Sequence, residues 1–243
     1  MTDPTHGVTS GPPAHGLRVV TLPVGMLEAN CYLLIDEASG TVVVIDPGAD
    51  ASRILEAIGS RHVTHLLLTH GHFDHVGALA PLKEATRAPI LAHPADRDML
   101  HMAPDAAALF TGEPVPQPPA PDAALEHGQR IAVASVELQV RHTPGHSPGS
   151  VVFVMTRPTP AVFSGDTLFA GSVGRTDMPG GDPEALHRSI REQLLSLDDA
   201  TPVYPGHGPS TTIGRERTTN PFLLRSEPAV ACSGGRSDDA HGL

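Results

Sequence analysis

Tryptophan is absent from this 243-residue chain, tyrosine occurs twice and phenylalanine six times, so aromatic residues make up only 3%. Cysteine is almost as scarce. Cys31 lies in an apolar, strand-like run and Cys232 in a polar C-terminal stretch. Two positions so distant and dissimilar do not form a disulfide framework, which favours a reduced, cytoplasmic protein. No apolar run approaches the 18 residues of a membrane span, and residues 1–16 contain no apolar core of a signal peptide. No membrane partner is therefore expected. Nor is there a stripe of Lys or Arg. With a formal charge of −11, a nucleic-acid partner is disfavoured and a small-molecule substrate expected.

Against these absences stands an abundance of turn-formers, 24 glycines and 25 prolines. That is about a fifth of the chain, below the roughly 25–30% of low-complexity sequences, and it describes a loop-rich globular fold. Hydrophobic content of 40% is ordinary for such a protein. Residues 1–16 and 226–243 are polar and rich in Gly or Pro and are expected to be disordered tails, leaving one folded domain over 17–225.

Within that domain, Arg18–Val24, Cys31–Asp36 and Thr41–Asp46 are β-branched or apolar runs bounded by turn residues, hence strands. Asp50–Gly59 has the spacing of a helix, His65–Leu68 of a buried strand, Val76–Thr86 of a helix and Ile90–Ala92 of a short strand. Over 103–130, Pro104, Pro114, Pro116, Pro118, Pro119 and Pro121 predict an irregular surface excursion, because proline breaks helix interiors and central strands. A second β-rich block follows at Ile131–Val133, Glu137–Arg141, Val151–Met155 and Ala161–Ser164. Helix Pro183–Leu197, strand Pro202–Tyr204 and helix Ile213–Asn220 complete the domain. Both halves place strands first and helices after. The expected architecture is an α/β, four-layer αββα sandwich of two mixed sheets with helices outside.

The chemistry gathers at strand ends. The run His70-Gly71-His72-Phe73-Asp74-His75 follows directly on Leu66–Thr69. Imidazoles and carboxylates are costly to bury unpaired, and a cation is the simplest shared partner. Later strands lead into His146, Asp166 and His207, each beside a glycine that lets the backbone turn sharply. His142 lies four residues before His146 and competes with it, although the Gly145-His146 turn favours the latter. Five histidines and two aspartates exceed the three protein ligands of a single catalytic zinc. They suit two divalent ions about 3.5–4 Å apart, with Asp166, alone on its turn, as the natural bridge. Zinc is the first expectation, with iron or manganese also compatible with a thiolate-free ligand set. Asp46, closing the strand Thr41–Asp46, is a candidate for orienting a ligand histidine. The remaining histidines have the ordinary standing of surface or core residues.

Taken in order, Thr69–His75, His146, Asp166 and His207 resemble the metallo-β-lactamase superfamily. Thr143–Gly149, Ser164–Phe169 and Pro205–Pro209 narrow the resemblance to glyoxalase II (hydroxyacylglutathione hydrolase) and its relatives. Thr219–Leu223, with no further helical domain, is similar to the short, single-domain bacterial branch. The resemblance implies that His70, His72 and His146 hold one metal, that Asp74, His75 and His207 hold the second, and that Asp166 bridges. It further implies hydrolysis of a thioester, such as S-lactoylglutathione or a related hydroxyacyl-glutathione, by a hydroxide held between the metals, with Asp74 and Asp166 as catalytic carboxylates. Arg175 lies where that family carries a lysine on the glutathione carboxylate, whereas Asp177 replaces a tyrosine. Gly174–Asp177 also resembles persulfide dioxygenases, in which His70, His146 and Asp166 would hold one iron. A lactonase or β-lactamase, a nuclease and a non-catalytic metal-binding module are the more distant alternatives.

Overall fold

The computed structural model describes residues 9–10 and 16–224. Apart from Thr9, Ser10 and Gly16, the expected tails lie outside the described residues, as does Cys232. Seven strands lie side by side in chain order in the first sheet: β1 (Thr9–Ser10), β2 (Leu17–Val24), β3 (Ala29–Asp36), β4 (Thr41–Ile45), β5 (His62–Leu67), β6 (Ile90–Ala92) and β7 (Ala123–Ala124). Pairing is antiparallel up to β4 and parallel from β4 to β7. Parallel neighbours need crossovers, and helices supply them. Helix α1 (Ala51–Ile58) joins β4 to β5, α2 (Phe73–Val76) and α3 (Leu79–Thr86) join β5 to β6, and α4 (Arg97–Thr111) leads towards β7. The strand β1 lies in a segment expected to be tail.

The second sheet begins with an antiparallel meander of β8 (Arg130–Val133), β9 (Val136–His142), β10 (Val151–Arg157) and β11 (Ala161–Gly165). A separate hairpin follows, β12 (Leu168–Phe169) with β13 (Ser172–Val173). After helix α5 (Pro183–Ser189) the chain returns as β14 (Pro202–Pro205), parallel to β11, and β15 (Thr211–Thr212) forms the edge. Helices α6 (Ile213–Thr219) and α7 (Pro221–Leu224) end the described chain.

Strand alternation sorts the side chains into three cores and so produces four layers. From β3, Cys31, Leu33 and Ile35 face the helices of the first half, whereas Tyr32 and Leu34 face the second sheet. From β10, Val151, Phe153 and Met155 meet them in the middle, while Val152 and Val154 pack outward with Leu186 and Ile190. The αββα sandwich expected from the element order is therefore present.

Helix α4 corrects one expectation. The excursion predicted over 103–130 begins only at Gly112, because α4 runs through Pro104, and it is interrupted by β7. Proline at 104 deprives the Leu100 carbonyl of its helical donor, and the Gln117 side chain donates to that oxygen instead, at 3.3 Å. A long-range partner thus repairs a locally unfavourable residue. The remaining prolines stay in the irregular stretch before β7. Two further helices are shorter than expected: Gly77 and Ala78 separate α2 from α3, and α5 passes into a wider π turn at Ile190–Leu194.

A buried carboxylate staples the two sheets at the end away from the histidines. Asp36, closing β3, accepts hydrogen bonds from the Ser39 amide at 2.8 Å and the Ser135 amide at 3.0 Å, and from both serine hydroxyls. Ser135 lies in the turn between β8 and β9. Replacing Asp36 by Ala leaves these donors without their acceptor and is expected to lower stability by about 2–3 kcal/mol, read as a reduced denaturant midpoint. A shift below about 0.5 kcal/mol would show that the staple contributes little.

Candidate metal centre

The seven residues singled out in the sequence converge at one edge of the sandwich, contributed by both sheets. The turn after β5 carries His70 and His72, and helix α2 carries Asp74 and His75. The loops after β9, β11 and β14 carry His146, Asp166 and His207. Backbone bonds, the first two of them between the sheets, hold these loops together. Val151 donates to the Thr69 carbonyl at 2.8 Å, Asn30 to that of Gly206 at 2.7 Å, and Gly206 to that of Gly165 at 2.8 Å. Gly206 is needed for close approach, since a Cβ there would lie 2.0 Å from Asp166 Oδ1.

The seven residues supply two groups of donors. His70, His72 and His146 form one, and Asp74, His75 and His207 the other; within each, one donor atom per residue lies within 4.8 Å of the others. His72 Nδ1 and His146 Nε2 are 2.8 Å apart, His75 Nε2 and His207 Nε2 3.3 Å, and His207 Nε2 and Asp74 Oδ2 3.2 Å. Asp166 lies between the groups. Its oxygens are 3.4 Å from His75 Nε2, 3.5 Å from His146 Nε2 and 3.7 Å from His207 Nε2. His142 is not part of either group. It stacks on His93 at 4.1 Å and its Nε2 meets the Pro148 carbonyl.

The donor set fits divalent cations on its own evidence. His70 Nε2 and Asp166 Oδ1 are buried without a hydrogen-bond partner, and both are aimed into the cluster. Burial pushes the His70 imidazole well below its ordinary pKa, helped by His75 and His72, and drops His72 to about 4. These rings are held neutral, with lone pairs available. Burial also opposes charge on His75, but Asp74, Asp166 and Asp46 outweigh it and raise its pKa to about 10. His207 is raised as well, with burial opposed by its hydrogen bond to Asp74 and the charge of Asp166. Asp74 is held below the usual carboxylate range by His75 and His207 despite its burial. Protons alone thus satisfy only part of the cluster. Oxygen and nitrogen donors without thiolate suit divalent zinc, iron or manganese.

Outside the cluster, the orienting contacts are specific. Asp46 accepts from the Thr69 amide at 2.7 Å and hydroxyl at 2.6 Å, and meets His75 Nδ1 at 3.1 Å. Both of its oxygens are engaged, which suits it to orienting His75, the role the sequence reading considered for it, although with His70 and His75 it forms a third group of closely spaced donor atoms. The Thr69 hydroxyl also reaches His70 Nδ1 at 3.0 Å. Backbone carbonyls perform the same task elsewhere: that of Arg175 faces His146 Nδ1 at 2.8 Å, and that of Leu27 faces His207 Nδ1 at 3.0 Å. Each fixes a tautomer whose Nε2 turns inward.

Sequence reasoning missed Asp96. This buried carboxylate accepts from the Gly71 amide at 2.9 Å, the Gly149 amide at 2.6 Å and the Ser147 hydroxyl at 2.7 Å. It ties the His70–His75 run to the His146 loop. Its signal was its position just after β6, the same strand-end placement that exposed the later ligands.

The cluster forms the floor of a cleft of 530 Å³ with largely apolar walls, among them Leu27, Phe73, Phe110, Phe169 and Met178. Phe73 and Phe110 stack at 5.9 Å, so α4 supplies part of the wall. Arg175 lies at the rim. Its guanidinium is engaged by Asp177, Nε to Oδ1 and Nη2 to Oδ2, both at 2.8 Å. No helix among the described residues is long and apolar enough to cross a membrane.

Residues 24–207 match the family model of the metallo-beta-lactamase superfamily. The chain is 37% identical over 211 residues to the hydroxyacylglutathione hydrolase GloC of Haemophilus influenzae, covering 85% of this chain and 98% of that protein. Among solved structures, it is similar to BLEG-1 B3 metallo-beta-lactamase, with 37% identity, a TM-score of 0.78 and coverage of 84% and 98%. It is also similar to TTHA1623 in a di-iron-bound form, with 45% identity, a TM-score of 0.76 and coverage of 84% and 99%.

Removing the Asp96 carboxylate leaves the buried amides of Gly71 and Gly149 unpaired and takes one of two partners from the Ser147 hydroxyl, which keeps Ser150. The substitution Asp96→Ala is expected to cost the metal-free protein about 3 kcal/mol in denaturant unfolding. A loss below 1 kcal/mol would mean that the two loops hold together without it.

Proposed function

The chain belongs to the metallo-beta-lactamase superfamily, and from that premise we propose that it hydrolyses thioesters at a centre of two divalent cations. That it is a metal-dependent hydrolase follows from the family and its metallo-hydrolase relatives. The observation that carries the finer reading is the seven-donor constellation on the floor of an apolar cleft. A relative that acts on hydroxyacylglutathione supports S-lactoylglutathione, or a related hydroxyacyl-glutathione, as the first substrate. Zinc is the first metal to try; the di-iron form of a similar structure makes iron the second, and manganese suits the same donors.

Such cations, when bound, supply Lewis acidity towards an acyl oxygen and a water that ionises near neutral pH. The chain's own contribution is to hold the donors and shape the reaction space. In this reading His70, His72 and His146 serve one cation, Asp74, His75 and His207 the other, and Asp166 both. Asp46, through His75 Nδ1, and the carbonyls of Arg175 and Leu27, through His146 and His207, keep each Nε2 turned inward. Preorganised donors of this kind need no rearrangement as charge develops in the transition state. The Asp74 carboxylate, held ionised by His75 and His207, lines the cleft and faces the reaction space. Phe73 and Phe110 stack to form part of the apolar wall beside the cluster.

The likeness to a B3 metallo-beta-lactamase supports β-lactam hydrolysis as a second reading of the same centre. A nitrocefin assay alongside the thioester assay separates the two.

Metal-loaded protein is expected to release thiol from S-lactoylglutathione, followed with a thiol reagent. Chelation should abolish the release, and added zinc, iron or manganese should restore it. Asp166→Asn or His207→Ala is expected to lower kcat/KM by about 100-fold or more. Absence of thiol release from glutathione and N-acetylcysteamine thioesters alike would overturn the thioester assignment.

Protonation provides a second check. At pH 7 the metal-free protein keeps a proton on His75, whose pKa is raised to about 10. Cation uptake must displace it, so affinity is expected to rise with pH and calorimetric binding heats to vary with the buffer's ionisation enthalpy. In the metal-free chain the stabilisation from this proton is complete below the unfolded pKa of about 6.5 and is lost as pH rises through about 10. Buffer-independent heats would exclude the displaced proton.

A further inference from the structure

Apart from the cations proposed for its floor, the cleft that receives the substrate is poorly provided with positively charged side chains. Among its described lining residues, Arg175 is the one Lys or Arg, and Asp177 already engages it through both carboxylate oxygens. The paired geometry matches a guanidinium fork to a carboxylate, so a substrate carboxylate seeking Arg175 must compete with one tethered two residues away. The Arg175 backbone is also fixed. Its carbonyl faces His146 Nδ1, and a Cβ on the preceding Gly174 would lie 1.9 Å from the Asp166 carbonyl oxygen. The side chain therefore works from a set base, with Asp177 beside it. The rest of the rim is apolar, including Leu27 and Phe110, which are 46% and 52% exposed. The chain as a whole carries a formal net charge of −11, which disfavours anions over longer range.

A glutathione thioester brings two carboxylates and one ammonium, hence a net negative charge. An acyl group on an uncharged thiol brings no ion to pair and apolar surface to bury. Resting on the thioesterase reading, we infer that Asp177 is a specificity-determining residue that masks Arg175, so that the cleft favours thioesters of uncharged thiols over those of anionic thiols. The chemistry recognised is an apolar or neutral thiol carrier, with glutathione accepted at a higher KM. No bond is made or broken by either residue; they act on binding alone.

The test compares the lactoyl thioesters of glutathione and N-acetylcysteamine on metal-loaded wild-type protein, Asp177→Asn and Asp177→Ser. Wild type is expected to favour the neutral thioester in kcat/KM by about tenfold, and both variants to move the ratio towards glutathione by about fivefold or more, through KM. Raising ionic strength should weaken that gain in the variants. A second arm measures equilibrium binding of the non-hydrolysable thioethers S-hexylglutathione and S-hexyl-N-acetylcysteamine by calorimetry. There the same ratio and its shift are expected even if neither thioester is turned over, so failure of the hydrolytic reading is distinguished from failure of the masking. A wild-type preference for the glutathione compounds, or ratios that do not move in either variant, overturns the inference.

Discussion

Five imidazoles and two carboxylates sit within a few ångströms of one another in a largely desolvated space, and protons alone cannot satisfy them. Charging every ring is too costly under burial, as the depressed values of His70 and His72 show, while leaving every ring neutral abandons Asp74 and Asp166 without a counter-charge. Divalent cations resolve this conflict by giving each lone pair a partner. Much of the architecture follows from the need to hold these groups together. Both sheets must present their loops at the same edge, and bonds such as Val151 to Thr69 and Asn30 to Gly206 join one sheet to the other where the donors meet.

Buried polar residues divide the labour of maintaining that edge. Asp46 orients His75 from within the first sheet, and Asp96 ties the first ligand run to the His146 loop. Asp36 fastens the opposite end of the sandwich through Ser135. Each is a carboxylate whose oxygens are occupied by several donors, which makes its burial tolerable. The aliphatic cores between them are sorted by strand alternation, with Phe153 and Phe163 the largest fully buried side chains of this aromatic-poor chain.

Legibility in the sequence followed the range of the interactions. The run His70–His75 was readable because its four donors lie within six residues, and His146, Asp166 and His207 because each shares a turn with glycine at a strand end. The strand expected over Thr41–Asp46 and found at Thr41–Ile45 followed from its continuous β-branched run between turn residues. Helix α4 was hidden because Pro104 is unfavourable locally and its remedy, Gln117, is thirteen residues away. Asp96 offered only its place after a strand, without a glycine beside it, since its partners Gly71 and Gly149 lie 25 and 53 residues from it and leave no periodic trace. The pairing of Arg175 with Asp177 is local, yet its meaning depends on a cleft that only the assembled sheets create.

Two residues at the mouth of that cleft serve through both of their ends. Leu27 and Arg175 offer side chains to the substrate space while their backbone carbonyls face His207 and His146. A carbonyl belongs to every amino acid, so the duty towards the histidines does not depend on which side chain the position carries. Mutation can therefore explore new recognition chemistry at positions 27 and 175 while the hydrogen bonds that hold the imidazoles persist. The scaffold separates what must be inherited from what is free to drift, and it does so within single residues.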